Sequence, residues 1–128
     1  MKSSAQAYEY ITEYSLAFAD GRPWDLIHVD FSIYFKMATA DHFLIFEGNK
    51  INVGGFENNS DAIWTGLDAT IFIRDYMVKV TGDRIWGLKF TLYPNGKFEI
   101  EYDYNKPKDY EETSEVITGD EISQAFLR

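Results

Sequence analysis

Apolar positions near the start of the chain recur at the spacing of an α-helix. The repeat places four side chains on one predicted buried face: Ala7, Ile11, Tyr14 and Phe18. Ser3 and Gln6 match the S-x-x-Q capping box, so this helix is predicted to begin near Ser3. In the "ADGRP" that follows, Gly21 is the predicted C-cap and Pro23 stops the helix.

The hydrophobic period changes to two between Leu26 and Met37, which is typical of a strand with one buried face. The expected inward positions are Ile27, Val29, Phe31, Ile33, Phe35 and Met37. The expected solvated positions are His28, Asp30, Ser32, Tyr34 and Lys36. The "TAD" at 39–41 predicts a turn, and "HFLIFEGNKINV" predicts one or two antiparallel strands whose register stays open. "GGFENNS" predicts a loop.

A second helix is predicted from a cap at Ser60 to about Val80. Its expected apolar face is wide and includes Ile63, Trp64, Leu67, Ile71, Met77 and Val78. A narrow polar stripe contains Asp61, Thr65, Asp68, Asp75 and Lys79. Asp75 and Lys79 form a favourable i,i+4 pair. This pattern predicts a helix that is nearly enclosed and lies across a sheet.

The stretch "GLKFTLYPNGKFEIEYDYN" predicts a β-hairpin, and the hydrophobic pattern decides its loop. A three-residue loop, Pro94-Asn95-Gly96, brings the apolar faces of both strands together, whereas a two-residue loop would mismatch them. The predicted cross-strand pairs are Leu92–Phe98, Phe90–Ile100, Leu88–Tyr102, Trp86–Tyr104 and, on the other face, Lys89–Glu101. Leu92 and Phe98 are expected to be neighbours in the core.

The C-terminal segment is polar before a final capping box at 118–121, which predicts a short helix with Ile122, Ala125 and Phe126 inward. The predicted order is α-β-β-(β)-α-β-β-α, with sequential hairpins rather than crossovers. We therefore expect one α+β domain over residues 1–128, with an antiparallel sheet of about four to five strands packed with helices.

Composition narrows the function classes. Aromatic residues make up 17% of the chain and hydrophobic residues 45%, which indicates a globular protein rather than a disordered one. There is no cysteine, so thiolate chemistry is excluded. The net charge of −9 disfavours binding to nucleic acid or to an anionic membrane. No signal-peptide or membrane-span pattern is present, and we expect a cytoplasmic protein.

Motifs for catalysis or cofactor binding are absent from the sequence. His28 and His42 do not stand at metal-ligand spacing, and H-E-x-x-H, glycine-rich phosphate loops and G-x-S-x-G are missing. We therefore predict no catalytic residue, no metal and no cofactor.

The most distinctive feature is an acidic strand face formed by Glu99, Glu101 and Asp103. Adjacent carboxylates would lie roughly 6.5–7 Å apart, as in inverting glycosidases, but a flat exposed strand supplies no cleft. An acidic, tyrosine-bearing loop follows, and such a mixture suits a protein interface. The predicted partner-binding residues are Glu99, Glu101, Asp103, Asp109, Tyr110, Glu111 and Glu112. The alternative, that these charges only keep the protein in solution, stays open.

The segments "FTLYPNGKFEIEYDYN" and "KPKDYEETSEVITGDEI" resemble the C-terminal halves of YezG-like antitoxins, which are immunity proteins of bacterial polymorphic-toxin systems. The resemblance covers residues 84–127, and only the general pattern of elements is similar over residues 1–80. It implies a small cytoplasmic protein that binds and neutralises a cognate toxin, commonly a nuclease. We expect a monomer or weak dimer. The family supplies no catalytic residues.

Two hypotheses follow. The first is a non-catalytic immunity protein that binds a basic toxin through its acidic surface. The second is a small-ligand-binding protein or enzyme with a pocket between the central helix and the sheet, lined by Tyr34, His28 and Asp30.

Overall fold

The first helix, α1 (Ser4–Ala19), begins and is buried as the sequence predicts. The computed structural model describes residues 1–107. Ser3 is the N-cap, and its hydroxyl accepts a hydrogen bond from the Gln6 backbone amide at 3.1 Å. All four residues of the predicted stripe are buried: Ala7, Ile11, Tyr14 and Phe18. The predicted C-cap is wrong by one position, because Asp20 adopts the left-handed conformation and donates its N–H to the Leu16 carbonyl.

Strand β1 (Leu26–Ile33) alternates as expected, with its odd-numbered residues buried. It ends earlier than predicted. Met37, expected inside, is 47% exposed. The chain turns at 34–37, where the Tyr34 amide donates to the Met37 carbonyl at 2.8 Å. Buried Arg74 holds this turn, since its Nη1 donates to the carbonyls of Tyr34 and Phe35 at 2.5 and 2.8 Å.

Strand β2 (Ala38–Phe46) contains the "TAD" segment, so the predicted turn at 39–41 is wrong. A two-residue turn joins β2 to strand β3 (Asn49–Ile51). Both of its residues have positive φ, 51° at Glu47 and 80° at Gly48, which is the conformation of a type I′ hairpin turn. The open question about this segment is therefore settled as two antiparallel strands.

Helix α2 (Asp61–Thr81) has the predicted extent, and its predicted apolar face is confirmed in part. Four of its predicted residues pack against the core: Ile63, Leu67, Ile71 and Met77. Its buried residues are Ala62, Gly66, Ala69, Thr70, Ile73 and Arg74. Trp64 and Val78, predicted inside, are 70% and 42% exposed. The reason is close packing against α1: a Cβ on Gly66 would lie 2.7 Å from the Tyr14 ring. Small residues permit that approach, and Trp64 and Val78 lie on the side of the helix that faces solvent.

The predicted N-cap position of α2 at Ser60 is confirmed, whereas its side-chain cap and the predicted Asp75–Lys79 pair are not seen. Ser60 precedes the helix with helical dihedral angles (φ −71°, ψ −25°), and its side chain makes no capping hydrogen bond. Asp75 pairs with its neighbour Arg74 at 3.0 Å, which takes the place of the expected pair with Lys79.

The hairpin of strands β4 (Gly87–Leu92) and β5 (Phe98–Asp103) has the predicted loop and register. The Tyr93 amide donates to the Lys97 carbonyl at 2.9 Å, which leaves the three-residue loop between them. The confirmed pairs are Leu92–Phe98, Phe90–Ile100, Leu88–Tyr102 and Lys89–Glu101. The ladder ends at Gly87 opposite Asp103, and the Trp86 amide donates to the Asp103 carbonyl, so the predicted Trp86–Tyr104 pair does not belong to it.

The five strands form one antiparallel sheet in the order β3-β2-β1-β4-β5, which confirms the α+β class and the order α-β-β-β-α-β-β. Buried residues of both helices and of one sheet face make a single core cluster. The helices pack mainly against β1 and β2. The predicted last helix, with Ile122, Ala125 and Phe126, lies outside the described residues.

Phe98 does not lie in the core, contrary to the sequence prediction. It is 47% exposed, whereas its cross-strand neighbour Leu92 is 3% exposed. The cause is position: β5 is an edge strand, and the helices pack mainly against β1 and β2, although Tyr8 of α1 contacts Tyr102 of β5 through its hydroxyl. The Phe98 ring still contacts the Phe90 ring, with centroids 5.2 Å apart.

We expect Leu92→Asp to unfold the protein and Phe98→Asp to leave it folded. An unpaired carboxylate at Leu92 costs several kcal/mol, comparable to the roughly 5–15 kcal/mol stability of a typical domain. At half-exposed Phe98 the charge reaches water, so we expect a loss of only about 1–2 kcal/mol in the free energy of unfolding. Urea unfolding followed by tryptophan fluorescence measures both. Equal losses would contradict the exposure of Phe98.

Candidate functional site

One face of the sheet is left uncovered by the described helices. In β1 the buried side chains face α1 and α2, and the alternate ones face away from them. Every outward side chain of the four longer strands is at least partly exposed. The remaining outward position, Gly87, has no side chain and is buried. We call this surface the outer sheet face. Its members are Leu26, His28, Asp30, Ser32, Thr39, Asp41, Phe43, Ile45, Gly87, Lys89, Thr91, Glu99, Glu101 and Asp103.

The predicted acidic residues of β5 all lie on the outer sheet face and are exposed. The Tyr93 hydroxyl donates to Glu99 Oε1 at 2.9 Å, and this hydrogen bond raises the pKa of Tyr93. Asp103 Oδ1 accepts from the backbone and side-chain nitrogens of Asn105, at 2.9 and 3.1 Å. Glu101 stands opposite Lys89 in the register. The carboxylates are therefore available to solvent and to a partner.

Two further carboxylates, on β1 and β2, join this surface. The register aligns Asp41 with Asp30, Asp30 with Lys89, and Lys89 with Glu101. These four side chains form one row across β2, β1, β4 and β5, with directly opposed Cβ atoms about 4.5–5.5 Å apart. Sequence reasoning missed Asp41 because it placed a turn there. The signal that could have found it is the alternation from Ala38 to Phe46, which continues through the "TAD".

A second row crosses the same strands and contains the aromatic centre of the outer sheet face. It runs Phe43, His28, Thr91, Glu99. The His28 ring stacks on Phe43 with centroids 5.1 Å apart, and its Nδ1 lies 3.0 Å from Thr91 Oγ1. Lys50 Nζ of β3 lies 4.5 Å from the Phe43 ring centroid.

Burial lowers the pKa of His28, and the nearby Asp30 carboxylate opposes that shift in part. The imidazole is therefore neutral at neutral pH and adds no positive charge to the surface. The outer sheet face then carries five carboxylates, and Lys89 and Lys50 are the basic side chains beside them. Two shallow depressions flank His28, one towards Asp41 and one towards Glu99.

The predicted pocket between the central helix and the sheet is not formed by the residues assigned to it. His28 and Asp30 point to the outer sheet face, on the side away from α2. Tyr34 lies in the turn after β1. The three residues were placed on one strand face by their even spacing, and that face is the one that the helices leave open.

His42, the other histidine, belongs to the core side of the sheet. Its Nδ1 lies 3.0 Å from the Tyr14 hydroxyl, and its ring packs against Phe18 and Phe56, with centroids 4.3 and 5.4 Å away. Burial lowers the pKa of His42 and raises that of Tyr14 to about 12. This histidine is a packing and hydrogen-bonding residue.

The loop residues predicted to accompany the acidic strand, Asp109, Tyr110, Glu111 and Glu112, lie outside the described residues, and their role stays a prediction. Within residues 1–107, no group of three or more histidine or carboxylate side chains is placed to hold a metal ion. Neither α1 nor α2 is long and apolar enough to cross a membrane.

No protein-family model matches the chain, and the search of curated proteins found no match. The functional argument therefore rests on the geometry of the outer sheet face and on the sequence.

We expect the stability of the protein to fall as the pH is lowered from about 7.5 to 5. Both histidines have a pKa that burial lowers, so the unfolded chain takes up protons near pH 6.5 before the folded protein does. The stability they contribute is present above that pH and is lost below it. Urea unfolding across this range measures the effect, and His42→Gln is expected to flatten part of it. A stability that rises on acidification to pH 5 would contradict the assignment.

Proposed function

We propose that the protein is a non-catalytic immunity protein that binds and neutralises a basic cognate toxin through its outer sheet face. The observation that carries the proposal is the exposure of Glu99, Glu101 and Asp103 on a sheet face that no described helix covers. Asp30 and Asp41 extend the same charge across the sheet. A flat acidic surface of this breadth complements a basic surface on a partner protein.

The centre of the outer sheet face supplies an aromatic contact surface in addition to the charges. His28 and Phe43 stack there as a partly buried aromatic pair, surrounded by carboxylates. Protein interfaces combine an aromatic core with a charged rim, because the aromatic contact contributes most of the affinity and the charges steer association. The arrangement supports a protein partner better than a small ligand, which takes a deep concave site.

The class of partner comes from the resemblance of residues 84–127 to YezG-like antitoxins. A nuclease toxin must be basic where it binds phosphates, and an acidic surface competes for that site. The alternative, in which the carboxylates only protect an edge strand from aggregation, is a recognised use of such charges. The pocket alternative has less support, because His28 and Asp30 point to the outer sheet face and Tyr34 lies in the turn after β1.

Charge reversal tests the proposal. We expect Glu99→Lys, Glu101→Lys and Asp103→Lys together to weaken binding by about 2–5 kcal/mol, or roughly 30- to several-thousand-fold, because like charges would then meet. The measurement is surface plasmon resonance against the purified product of the neighbouring reading frame, as the candidate toxin, across a salt series centred on about 0.15 M. For the wild type, the association rate is expected to fall steeply as salt rises.

The matched control reverses the same number of charges on the helical side. Glu9, Glu13 and Asp68 are exposed on α1 and α2, so their replacement by lysine changes the net charge equally. We expect this variant to keep most of the affinity. Circular dichroism checks that both variants are folded. Equal binding by wild type and the β5 variant, with flat salt dependence, would leave the carboxylates a role in solubility alone.

We also expect no turnover of nucleic acid, ester or glycoside substrates. General acid–base catalysis needs a positioned pair of groups in a water-excluding cleft, and Glu99 and Glu101 stand on an open surface. Purified protein is assayed against each substrate class. Activity that disappears in Glu99→Gln or Glu101→Gln would contradict the non-catalytic assignment.

A further inference from the structure

Strand β5 has an open hydrogen-bonding edge. The strand order ends with β5, which pairs with β4 on one side and with no strand of residues 1–107 on the other. The opposite edge of the sheet is β3, which has only three residues. The six residues of β5 therefore form the longer free edge of the described sheet. Such an edge is a template for another extended chain.

The alternation of hydrogen-bonded and non-hydrogen-bonded pairs in the hairpin shows which backbone groups of β5 point away from β4. Tyr93 and Lys97 form a hydrogen-bonded pair next to the loop. In an antiparallel ladder such pairs alternate with non-hydrogen-bonded ones, so Glu99 and Glu101 bond to β4. The N–H and C=O groups of the alternate residues then point to the open edge. These residues are Phe98, Ile100 and Tyr102.

The side chains of β5 specify what kind of strand could be added there. On the inner face, Phe98 is 47% exposed, and Ile100 and Tyr102 are partly buried. On the outer face every residue is acidic: Glu99, Glu101 and Asp103. An added strand would place successive side chains alternately beside the apolar and the acidic rows. The best match is a segment in which basic and apolar residues alternate.

We propose that β5 receives an extended segment of the basic partner as a sixth strand of the sheet, with basic residues on the outer face and apolar residues on the inner face. This inference rests on the proposed function and specifies its docking mode. Backbone hydrogen bonds to the open edge supply affinity, and the alternating side chains supply selectivity. The partner's inner-face residues cover Phe98 and pack beside Ile100.

Charge favours this occupant over two others. A second copy of the chain, paired antiparallel through its own β5, would oppose carboxylate to carboxylate on the outer face, which is destabilising. The C-terminal segment of this chain, residues 108–128, has six acidic and two basic side chains, so it also has the wrong sign. A strand of alternating basic and apolar residues complements both the acidic and the apolar face of β5.

Amide hydrogen exchange on the unmodified protein is the first test. We expect the amides of Ile100 and Tyr102 to exchange quickly in the free protein and to become at least about tenfold slower in the toxin complex. Those of Glu99 and Glu101, already bonded to β4, serve as the internal control. A toxin complex without this protection overturns strand addition and leaves the proposed function standing.

Two substitutions at one position test the same point by affinity. Ile100→Ala and Ile100→Pro both remove the isoleucine side chain, but only the proline variant also lacks the outward backbone N–H. Proline is tolerated on an edge strand. We expect both variants to fold and the proline variant to bind the toxin at least about tenfold more weakly than the alanine variant. Phe98→Pro and Phe98→Ala give a second matched pair at the first residue of β5. Equal affinities within both pairs overturn the proposal.

A synthetic peptide tests the edge without the toxin. The probe is a peptide of alternating lysine and valine, as long as β5, and its control has glutamate in place of lysine. We expect the basic peptide alone to protect the Ile100 and Tyr102 amides. If the basic peptide protects these amides but the protein binds no toxin, the proposed function is overturned. The result would still support the addition of a basic strand to β5.

Protection already present in the free protein would overturn strand addition by a partner. If it increased with protein concentration, the edge would be occupied by a second copy. If it were independent of concentration, the edge would be occupied by another part of the same chain.

Discussion

The close approach of the two helices at Tyr14 is the contact on which the rest of the structure depends. A Cβ on Gly66 would lie 2.7 Å from the Tyr14 ring, so α2 can reach α1 only because that side chain is missing. The same ring packs edge-on against Phe31 and Phe56, with centroids 5.3 and 5.1 Å away, and its hydroxyl lies 3.0 Å from His42. One tyrosine thus joins both helices, the sheet and the loop before α2. Because the helices fit side by side, both lie on one face of the sheet.

That one-sided packing determines what the opposite face is able to do. The outer sheet face receives polar side chains from four adjacent strands, and the register arranges them in rows. Carboxylates from β2, β1 and β5 come together there, although Asp41 and Glu99 are 58 residues apart in the chain. Within residues 1–107 this surface offers area, charge and two shallow depressions, which favours the proposed protein partner over a small molecule.

The C-terminal half of helix α2 makes a second set of stabilising contacts, through Arg74. The Arg74 side chain is buried, and its guanidinium donates to two carbonyls of the turn between β1 and β2 and pairs with Asp75. These bonds join the C-terminal half of α2 to the turn after β1. They also stabilise the turn, so β2 begins at Ala38 and brings Asp41 onto the outer sheet face.

Residue spacing along the chain is enough to predict the features that depend on near neighbours. The spacing of apolar residues gave the extent and buried stripe of α1, and the face-matching of a short hairpin gave the loop and the Leu92–Phe98 register. The exposure of Glu99 and Glu101 followed from the same alternation. Each of these is set by contacts within a few turns or across one loop, where periodicity carries the information.

The remaining features depend on contacts between distant parts of the chain, which residue spacing does not reveal. The buried face of α2 depends on α1, since hydrophobicity favoured Trp64 whereas close packing favoured Gly66. The turn at 34–37 depends on Arg74, about 40 residues away. The exposure of Phe98 depends on where the helices stop covering the sheet. The hydrophobic pattern of a helix or strand shows that one of its faces is apolar. Which surface packs against that face depends on the packing of the whole domain.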